Sequence, residues 1–171
     1  MHSNQQPPAQ EFTRLIGLPL TKTTRNGPVQ FFHFGSTRYT TPQGLILDVG
    51  ELTLAVNCPW QLQLPEGDAI RHSEVYIRRR ETDLPSPVWD WKVPGSSYRD
   101  QRLLELVKRV PALVVERVEQ LENFGLVLYF TDHSTLTVSP DPQEPAEEYW
   151  QLFSNTGDGM KVGAGKEGYI E

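Results

Sequence analysis

The sequence predicts an α+β domain built mainly of antiparallel sheet, with one main helix near residues 99–110. In residues 51–64 every even position is apolar, and the odd positions are mostly polar. Successive side chains of a strand point to opposite faces, so this alternation predicts a strand with one buried face. An apolar stripe at helical spacing predicts the helix. The 14 prolines and 13 glycines are typical of many short strands joined by turns.

Turn signals divide the chain before the helix into short strand candidates. Asn26-Gly27 and the Pro42-Gln43-Gly44 segment mark two of these turns. We expect an irregular strand in residues 11–20, because Gly17 and Pro19 interrupt its apolar residues. The other strand candidates are residues 29–35, 45–49, 51–64 and 69–78.

Pro59 interrupts the long strand candidate. Proline has no N–H to donate to a ladder, so we expect an edge, a bulge or a corner at which one strand becomes two. Cys58 falls among the apolar positions, which predicts a buried, inert thiol rather than a nucleophile. A single cysteine also excludes an internal disulfide and a thiolate zinc cluster formed by one chain.

The main helix follows a loop predicted at residues 82–97, which is rich in proline. Ser97 or Asp100 is suited to be the N-cap, and Pro111 stops the helix. The apolar stripe consists of Leu103, Leu104, Leu106, Val107 and Val110.

After the helix the pattern predicts strands again. The candidates are residues 113–121, 126–130, 135–139 and 149–153, followed by a glycine-rich segment that is either mobile or closes the sheet. The order L-T-L then W-Q-L, in residues 52–62, recurs as L-T-V then W-Q-L in residues 136–152. This echo predicts two pseudo-repeated β halves joined by the helix.

The composition predicts one globular domain in the cytoplasm. We expect a disordered tail at residues 1–10 and a single domain at 11–171, with β halves at 11–81 and 112–171 and the loop and helix at 82–111. No signal-peptide pattern begins the sequence, and no apolar run approaches the roughly 20 residues of a membrane helix.

Four short motifs resemble those of a family of uncharacterised bacterial proteins. The motifs are F-x-F-G at Phe32–Gly35, C-P-W-x-L at Cys58–Leu62, Y-R-D-x-R-L at Tyr98–Leu103 and W-x-L-F at Trp150–Phe153. The resemblance covers most of the chain from Leu15 onward. It implies a single bacterial domain, and it supplies no catalytic residue.

Charge is distributed unevenly along the chain. Residues 1–110 carry 13 basic and 11 acidic side chains, whereas residues 111–171 carry 3 basic and 11 acidic ones. An acidic half repels phosphates, which disfavours nucleic acid and anionic membranes as partners. It suits a basic protein partner, although the same charges also serve solubility.

Six residues are candidate contacts for a ligand or partner. Trp89 and Trp91 lie in the proline-rich loop, where they either anchor a partner or fold back and cap the core. Glu147 and Glu148 are the acidic candidates for a basic partner. The other two, His33 and Tyr39, would line a small-molecule site on the concave face of the sheet, together with the Trp89/Trp91 loop.

The sequence contains no recognisable catalytic or metal-binding pattern. Asp132-His133-Ser134 places three residue types of a catalytic triad side by side, but these residues are also turn formers. We therefore expect no cofactor and no metal, and a non-enzymatic binding protein, in one version an immunity-type neutraliser of a basic protein. The alternatives are a small-molecule binder or enzyme, and a homo-oligomer built by pairing sheet edges.

Overall fold

A computed structural model of the chain describes residues 3–4, 7–81 and 88–171. The predicted α+β class with predominantly antiparallel sheet is confirmed. The elements are β1 (Ser3–Asn4), α1 (Ala9–Thr13), β2 (Leu20–Asn26), β3 (Val29–Phe34), β4 (Thr37–Thr40), β5 (Ile46–Val49), β6 (Leu52–Val56), β7 (Trp60–Gln63), β8 (Ala69–Arg71), α2 (Tyr98–Val107), β9 (Val115–Gln120), β10 (Leu126–Phe130), β11 (Thr135–Val138), β12 (Trp150–Ser154), β13 (Lys161–Gly165) and β14 (Gly168–Ile170).

Two antiparallel sheets enclose the core, and a third, two-stranded sheet stands apart. The seven-stranded sheet has the order β1-β14-β13-β12-β6-β3-β2, and the five-stranded sheet has the order β8-β7-β11-β10-β9. Strands β4 and β5 pair only with each other. Buried side chains of both large sheets and both α-helices, among them Trp60, Trp150 and Phe130, form one hydrophobic cluster.

The segment 51–64 passes from one sheet to the other. Its first part, β6, lies in the seven-stranded sheet, and its second part, β7, lies in the five-stranded sheet. The sheets change at Asn57-Cys58-Pro59, where Pro59 has no N–H to give to a continuous ladder. The predicted corner is therefore present.

A second segment crosses between the sheets beside the first. Strand β12 pairs with β6, and β11 pairs with β7, so the two crossing segments form one bent antiparallel ribbon. Two hydrogen bonds continue the ribbon through the corner. The Asn57 N–H donates to the Tyr149 carbonyl at 2.8 Å, and the Ser139 N–H donates to the Pro59 carbonyl at 2.9 Å.

The two halves of the chain follow the same strand order. In the first, β2, β3 and β6 form one meander before the chain crosses to β7 and β8. In the second, β9, β10 and β11 form the meander before the chain crosses to β12 and β13. The sequence echo follows this order, because each L-T-(L/V) strand pairs with the W-Q-L strand of the other half.

Hydrogen bonds at the opposite side of the domain repeat in matched pairs. The Leu20 N–H donates to the Leu113 carbonyl, and its counterpart Val115 donates to the carbonyl of Leu18. Likewise, the N–H of Gly35 donates to Pro19 and that of Thr131 donates to Val114. The matched order and matched bonds are those of a pseudo-two-fold arrangement.

Helix α2 begins at the predicted cap and ends before the predicted stop. The Ser97 hydroxyl accepts from the Asp100 N–H, and the Asp100 carboxylate accepts from the Ser97 N–H, which completes a capping box. The helix ends at Val107 instead of residue 110. The residue before a proline disfavours helical backbone, so Pro111 acts on Val110 and shortens the last turn.

The Y-R-D-x-R-L residues attach α2 to the rest of the domain. Arg99 is fully buried; it donates to the carbonyls of His72 and Pro28, and its guanidinium lies 5.4 Å from the Trp60 ring centroid. Arg102 forms ion pairs with Glu74 at 2.6 Å and with Asp68. These contacts join the helix to both sheets.

Several expected local structures differ from those observed. Residues 11–20 contain the end of α1 rather than an irregular strand, because Phe12 and Leu15 are spaced to bury one helical face in the core. The strand expected at 69–78 ends at Arg71, after which His72–Tyr76 forms a 3₁₀ turn. There the Glu74 carboxylate accepts from the Arg71 N–H and closes the turn.

The two ends of the chain form strands of the seven-stranded sheet. Within the tail predicted to be disordered, residues 1–10, Ser3–Asn4 pairs with β14 and Ala9 begins α1. Residues 1–2 and 5–6 of that tail lie outside the described residues, as do residues 82–87 of the predicted loop. The glycine-rich segment forms β13 and β14 of the seven-stranded sheet, so that of its two expected outcomes it closes the sheet.

The equivalent tryptophans of the two halves predict unequal losses of stability. The Trp150 indole N–H donates to the Phe124 carbonyl at 2.8 Å, whereas the buried indole N–H of Trp60 has no hydrogen-bond partner in the described part of the chain. Trp150→Phe should therefore lower the free energy of unfolding by about 1 kcal/mol more than Trp60→Phe, since only the first removes a hydrogen bond. Urea unfolding of both variants measures the difference, and equal losses would contradict it.

Candidate functional site

The hairpin β4–β5 is the most exposed apolar element among the described residues. It joins β3 to β6, at the position where the second half joins β10 to β11 through the short turn Thr131–Ser134. The Thr41 hydroxyl accepts from the Leu45 N–H at 3.0 Å, and Gly44 has φ +86°. These local contacts close the tip of the hairpin.

The hairpin has one apolar face. Tyr39 pairs with Leu47 in register, and the alternation of side chains places Leu45 on the same face. The exposed fractions are 48% for Tyr39, 63% for Leu45 and 44% for Leu47. On the opposite face lie Ile46 and the cross-strand pair of Arg38 with Asp48.

Such a hairpin contributes little to the core. An isolated two-stranded hairpin is marginally stable, and contiguous exposed apolar side chains usually mark an interaction site. Both outer edges of the hairpin also have unpaired backbone groups, since β4 and β5 form a sheet of their own. The hairpin therefore offers an apolar face and two free edges to a partner.

His33 lies on the outer face of the seven-stranded sheet, whereas Tyr39 lies on the hairpin. One ring nitrogen lies 2.8 Å from the Thr24 hydroxyl, and the other lies 3.2 Å from the Thr53 hydroxyl. Burial, and secondarily the positive charge of Lys22, lower the pKa of His33. With both ring nitrogens engaged by threonines, His33 has the surroundings of a structural residue.

Trp89 and Trp91 are half-buried in a loop that folds back onto the domain. The Trp89 indole N–H donates to the Ser96 carbonyl at 3.0 Å. Trp91 meets Tyr76 edge to face, with ring centroids 4.8 Å apart. Each tryptophan side chain therefore has a contact within the domain, and its role in binding another protein stays a prediction.

Arg25 fixes this loop. Its buried guanidinium donates to the carbonyls of Trp91 and Val93, both at 2.7 Å, and forms an ion pair with Asp100 at 2.8 Å. Burial alone raises the pKa of the Asp100 carboxyl. The hydrogen bonds from Arg25 and Ser97 outweigh this effect, so that the pKa lies below its ordinary value.

Glu147 and Glu148 lie in the long loop that precedes β12. Glu147 is exposed and forms an ion pair with Lys166 at 2.7 Å, whereas Glu148 accepts from the Gln151 side chain at 3.4 Å. The hairpin lies at the other end of β12, because Ser154 pairs with Leu52. The length of β12 therefore separates the acidic pair from the apolar hairpin.

The triad-type residues form a turn. The Asp132 carboxylate accepts from the Ser134 N–H at 2.8 Å, and His133 adopts φ 73° between them. Burial raises the pKa of the Cys58 thiol to about 12, as expected of an inert cysteine. Within the described residues, no three His, Cys, Asp or Glu side chains are placed to hold a metal ion.

The sequence did not predict that the leucines of the hairpin are exposed. The run Leu45-Ile46-Leu47 predicts an ordinary apolar strand, and the strand exists with its side chains exposed. Whether this strand is buried or exposed depends on how the rest of the chain folds around it. The residues of the run alone do not show which of the two occurs.

Comparisons with known proteins do not assign the chain to a family. No family model, curated protein or solved structure gives a significant match to the chain. Among the described residues, no helix is both long and apolar enough to cross a membrane.

The depressed pKa of Asp100 predicts a pH-dependent loss of stability. Its carboxylate stabilises the fold above its unfolded pKa of about 3.9, and this contribution is lost as the pH falls through the lower folded pKa. Asp100→Asn should cost about 2 kcal/mol at pH 7, and the difference from wild type should shrink toward pH 2. Denaturant unfolding across this range measures it. Asp48→Asn on the exposed hairpin is the control, and a difference that is constant with pH would contradict the assignment.

Proposed function

We propose that the protein is a non-enzymatic binding protein that docks onto another protein through the apolar face of the hairpin β4–β5. The observation that carries this proposal is the exposure of Tyr39, Leu45 and Leu47 on one face of an element outside the core. Covering each side chain contributes on the order of 1 kcal/mol, since each is already partly buried. A small number of such anchors supplies most of the affinity in many interfaces.

The partner we propose carries basic side chains around an apolar patch. Arg38 and Asp48 face each other across the hairpin, so the hairpin itself has no net charge. The chain as a whole has a net charge of -6, and the excess lies in residues 111–171. A negative field of this kind accelerates encounter with a basic protein and repels acidic ones.

Glu147 and Glu148 would act on the rate of association rather than on the contact itself. The five residues of β12 span about 13 Å, which exceeds the Debye length of about 8 Å at physiological salt. Their charges are therefore screened at the hairpin in the final complex. We expect them to contribute to steering during the approach of the partner.

The test begins with a photo-crosslinking residue in place of Leu45, introduced in the native host. A crosslinked basic protein, purified and returned to the wild-type chain, should bind with an affinity measurable by surface plasmon resonance. Leu45→Ser should then weaken binding at least about tenfold, chiefly through faster dissociation. Lysine substitution of both Glu147 and Glu148 should slow association several-fold at low salt and have little effect at high salt.

Ile46→Ser is the matched control, because it removes an equally apolar side chain from the opposite face of the same hairpin. It should leave the affinity within about twofold, since a residue outside the interface core contributes little. Equal losses for Leu45→Ser and Ile46→Ser would contradict docking through this face. Crosslinks only to a second copy of the chain would replace the proposed partner by a homo-oligomer.

A further inference from the structure

A cavity of about 370 Å³ opens beside the corner between the sheets. Polar side chains reach it from β7, from the end of β8 with the turn that follows it, and from β11. They include Gln61, Arg71, His72, Ser73, Thr137 and Ser139. The volume lies in the range of small-molecule sites, and the residues converge from segments far apart in sequence.

The pseudo-two-fold arrangement shows that the fold does not require this cavity. Gln61 pairs with Arg71 in the five-stranded sheet, and its counterpart Gln151 pairs with Gly163 in the other. Thr137, likewise, has Ala55 as its counterpart. The corner with the cavity thus carries an arginine and a threonine, whereas the other corner carries a glycine and an alanine at the equivalent positions.

The counterpart position is closed by the chain itself. A Cβ placed on Gly165 would lie 1.9 Å from the Glu147 carbonyl oxygen, so the loop before β12 packs directly on β13. The Lys166 N–H donates to the Ala146 carbonyl at 2.8 Å and holds this loop in place. The cavity at Arg71 is therefore a difference between two otherwise matched corners.

Two cations, one at the cavity and one behind it, form no ion pair with a carboxylate among the described residues. Arg71 is exposed, and no ion pair to it occurs in residues 7–81 and 88–171. Behind the cavity, the buried Arg99 donates to the His72 carbonyl at 2.8 Å, and its Nε has no partner. Arg25 and Arg102, the neighbouring buried cations, are paired with Asp100 and Glu74 respectively.

The carboxylates of Asp100 and Glu74 act on the buried Arg99 cation without forming an ion pair with it, so a bound anion would add to its compensation. Burial lowers the pKa of Arg99 to about 10, which still leaves the guanidinium charged at neutral pH. Burial lowers the pKa of His72, and the Glu144 carboxylate is near enough to His72 to act in the opposite direction. The negative charge of Glu144 therefore opposes an anion at the cavity. It lies on the exposed loop that precedes β12 and has no ion pair in the described part of the chain.

We propose that this cavity binds a small oxyanion, a phosphate or carboxylate group carried by a small molecule. Arg71 is its ion-pair partner, and the hydroxyls of Ser73, Thr137 and Ser139 are its hydrogen-bond donors. The positive charge of Arg99, which lies behind the cavity, adds at longer range to that of Arg71. The site is separate from the hairpin, so this proposal does not depend on the proposed protein partner.

Isothermal titration calorimetry with inorganic phosphate and with succinate, at constant ionic strength and neutral pH, tests the proposal. We expect saturable binding of at least one of them below roughly 10 mM, and the tighter one identifies the oxyanion class. Arg71→Gln should weaken that binding at least about tenfold, because it removes a charged hydrogen-bond donor. Glu144→Gln should strengthen it several-fold, since it removes the opposing charge.

Arg38→Gln, at an exposed arginine on the hairpin, is the matched control and should leave the affinity unchanged. Thr137→Val is a second cavity variant, which removes one donor without changing the charge and should weaken binding several-fold. The absence of binding by both anions would overturn the proposal. Equal weakening by Arg38→Gln and Arg71→Gln would also overturn it, because general attraction to a cationic surface would then explain the binding.

Discussion

The bent ribbon formed by β6–β7 and β11–β12 is the constraint on which the rest of the structure depends. Its ladder runs through both sheets and continues across the corner at Pro59 through two backbone hydrogen bonds. Because side chains alternate along each strand, the same parity that buries Leu54 in one sheet buries Leu62 in the other. A shift of one residue in this register would expose both tryptophan motifs, so the ribbon fixes the core and the relative position of the sheets.

Around the ribbon the two halves repeat the same meander and the same closing hydrogen bonds. A feature that occurs in only one half is therefore not required by the fold. The hairpin β4–β5 occurs in the first half only, where the second half has a short turn. The cavity at Arg71 occurs at one corner, where Gly163 takes the equivalent place at the other. Both features add exposed or unpaired groups at a cost to stability, which is typical of sites retained for binding. The proposed functions lie at these two departures from the repeat.

The sequence predicted the parts of this arrangement that depend on local periodicity. Alternation in 51–64 predicted β6 and β7, proline chemistry predicted the corner, and the capping residue Ser97 predicted the start of α2. The echo of L-T-(L/V) and W-Q-L predicted two pseudo-repeated β halves. The sequence could not predict the exposure of Leu45 and Leu47, because a buried and a presented strand contain the same residue types. Nor could it predict the contact of Arg25 with Asp100 or the placing of Arg71 and Ser139 around one cavity, because these residues are brought together only by the folded topology.

Thermal unfolding of a chain in which Asn-Gly replaces residues 37–49 is a direct test of whether the ribbon, rather than the hairpin, carries the fold. Thr37 and Val49 pair in register, so a two-residue turn suffices to close the gap between Ser36 and Gly50. We expect one cooperative transition with a midpoint within about 4 °C of wild type, since the hairpin lies outside the core and adds little to stability. Loss of the cooperative transition would contradict it, because the hairpin would then be part of the core structure.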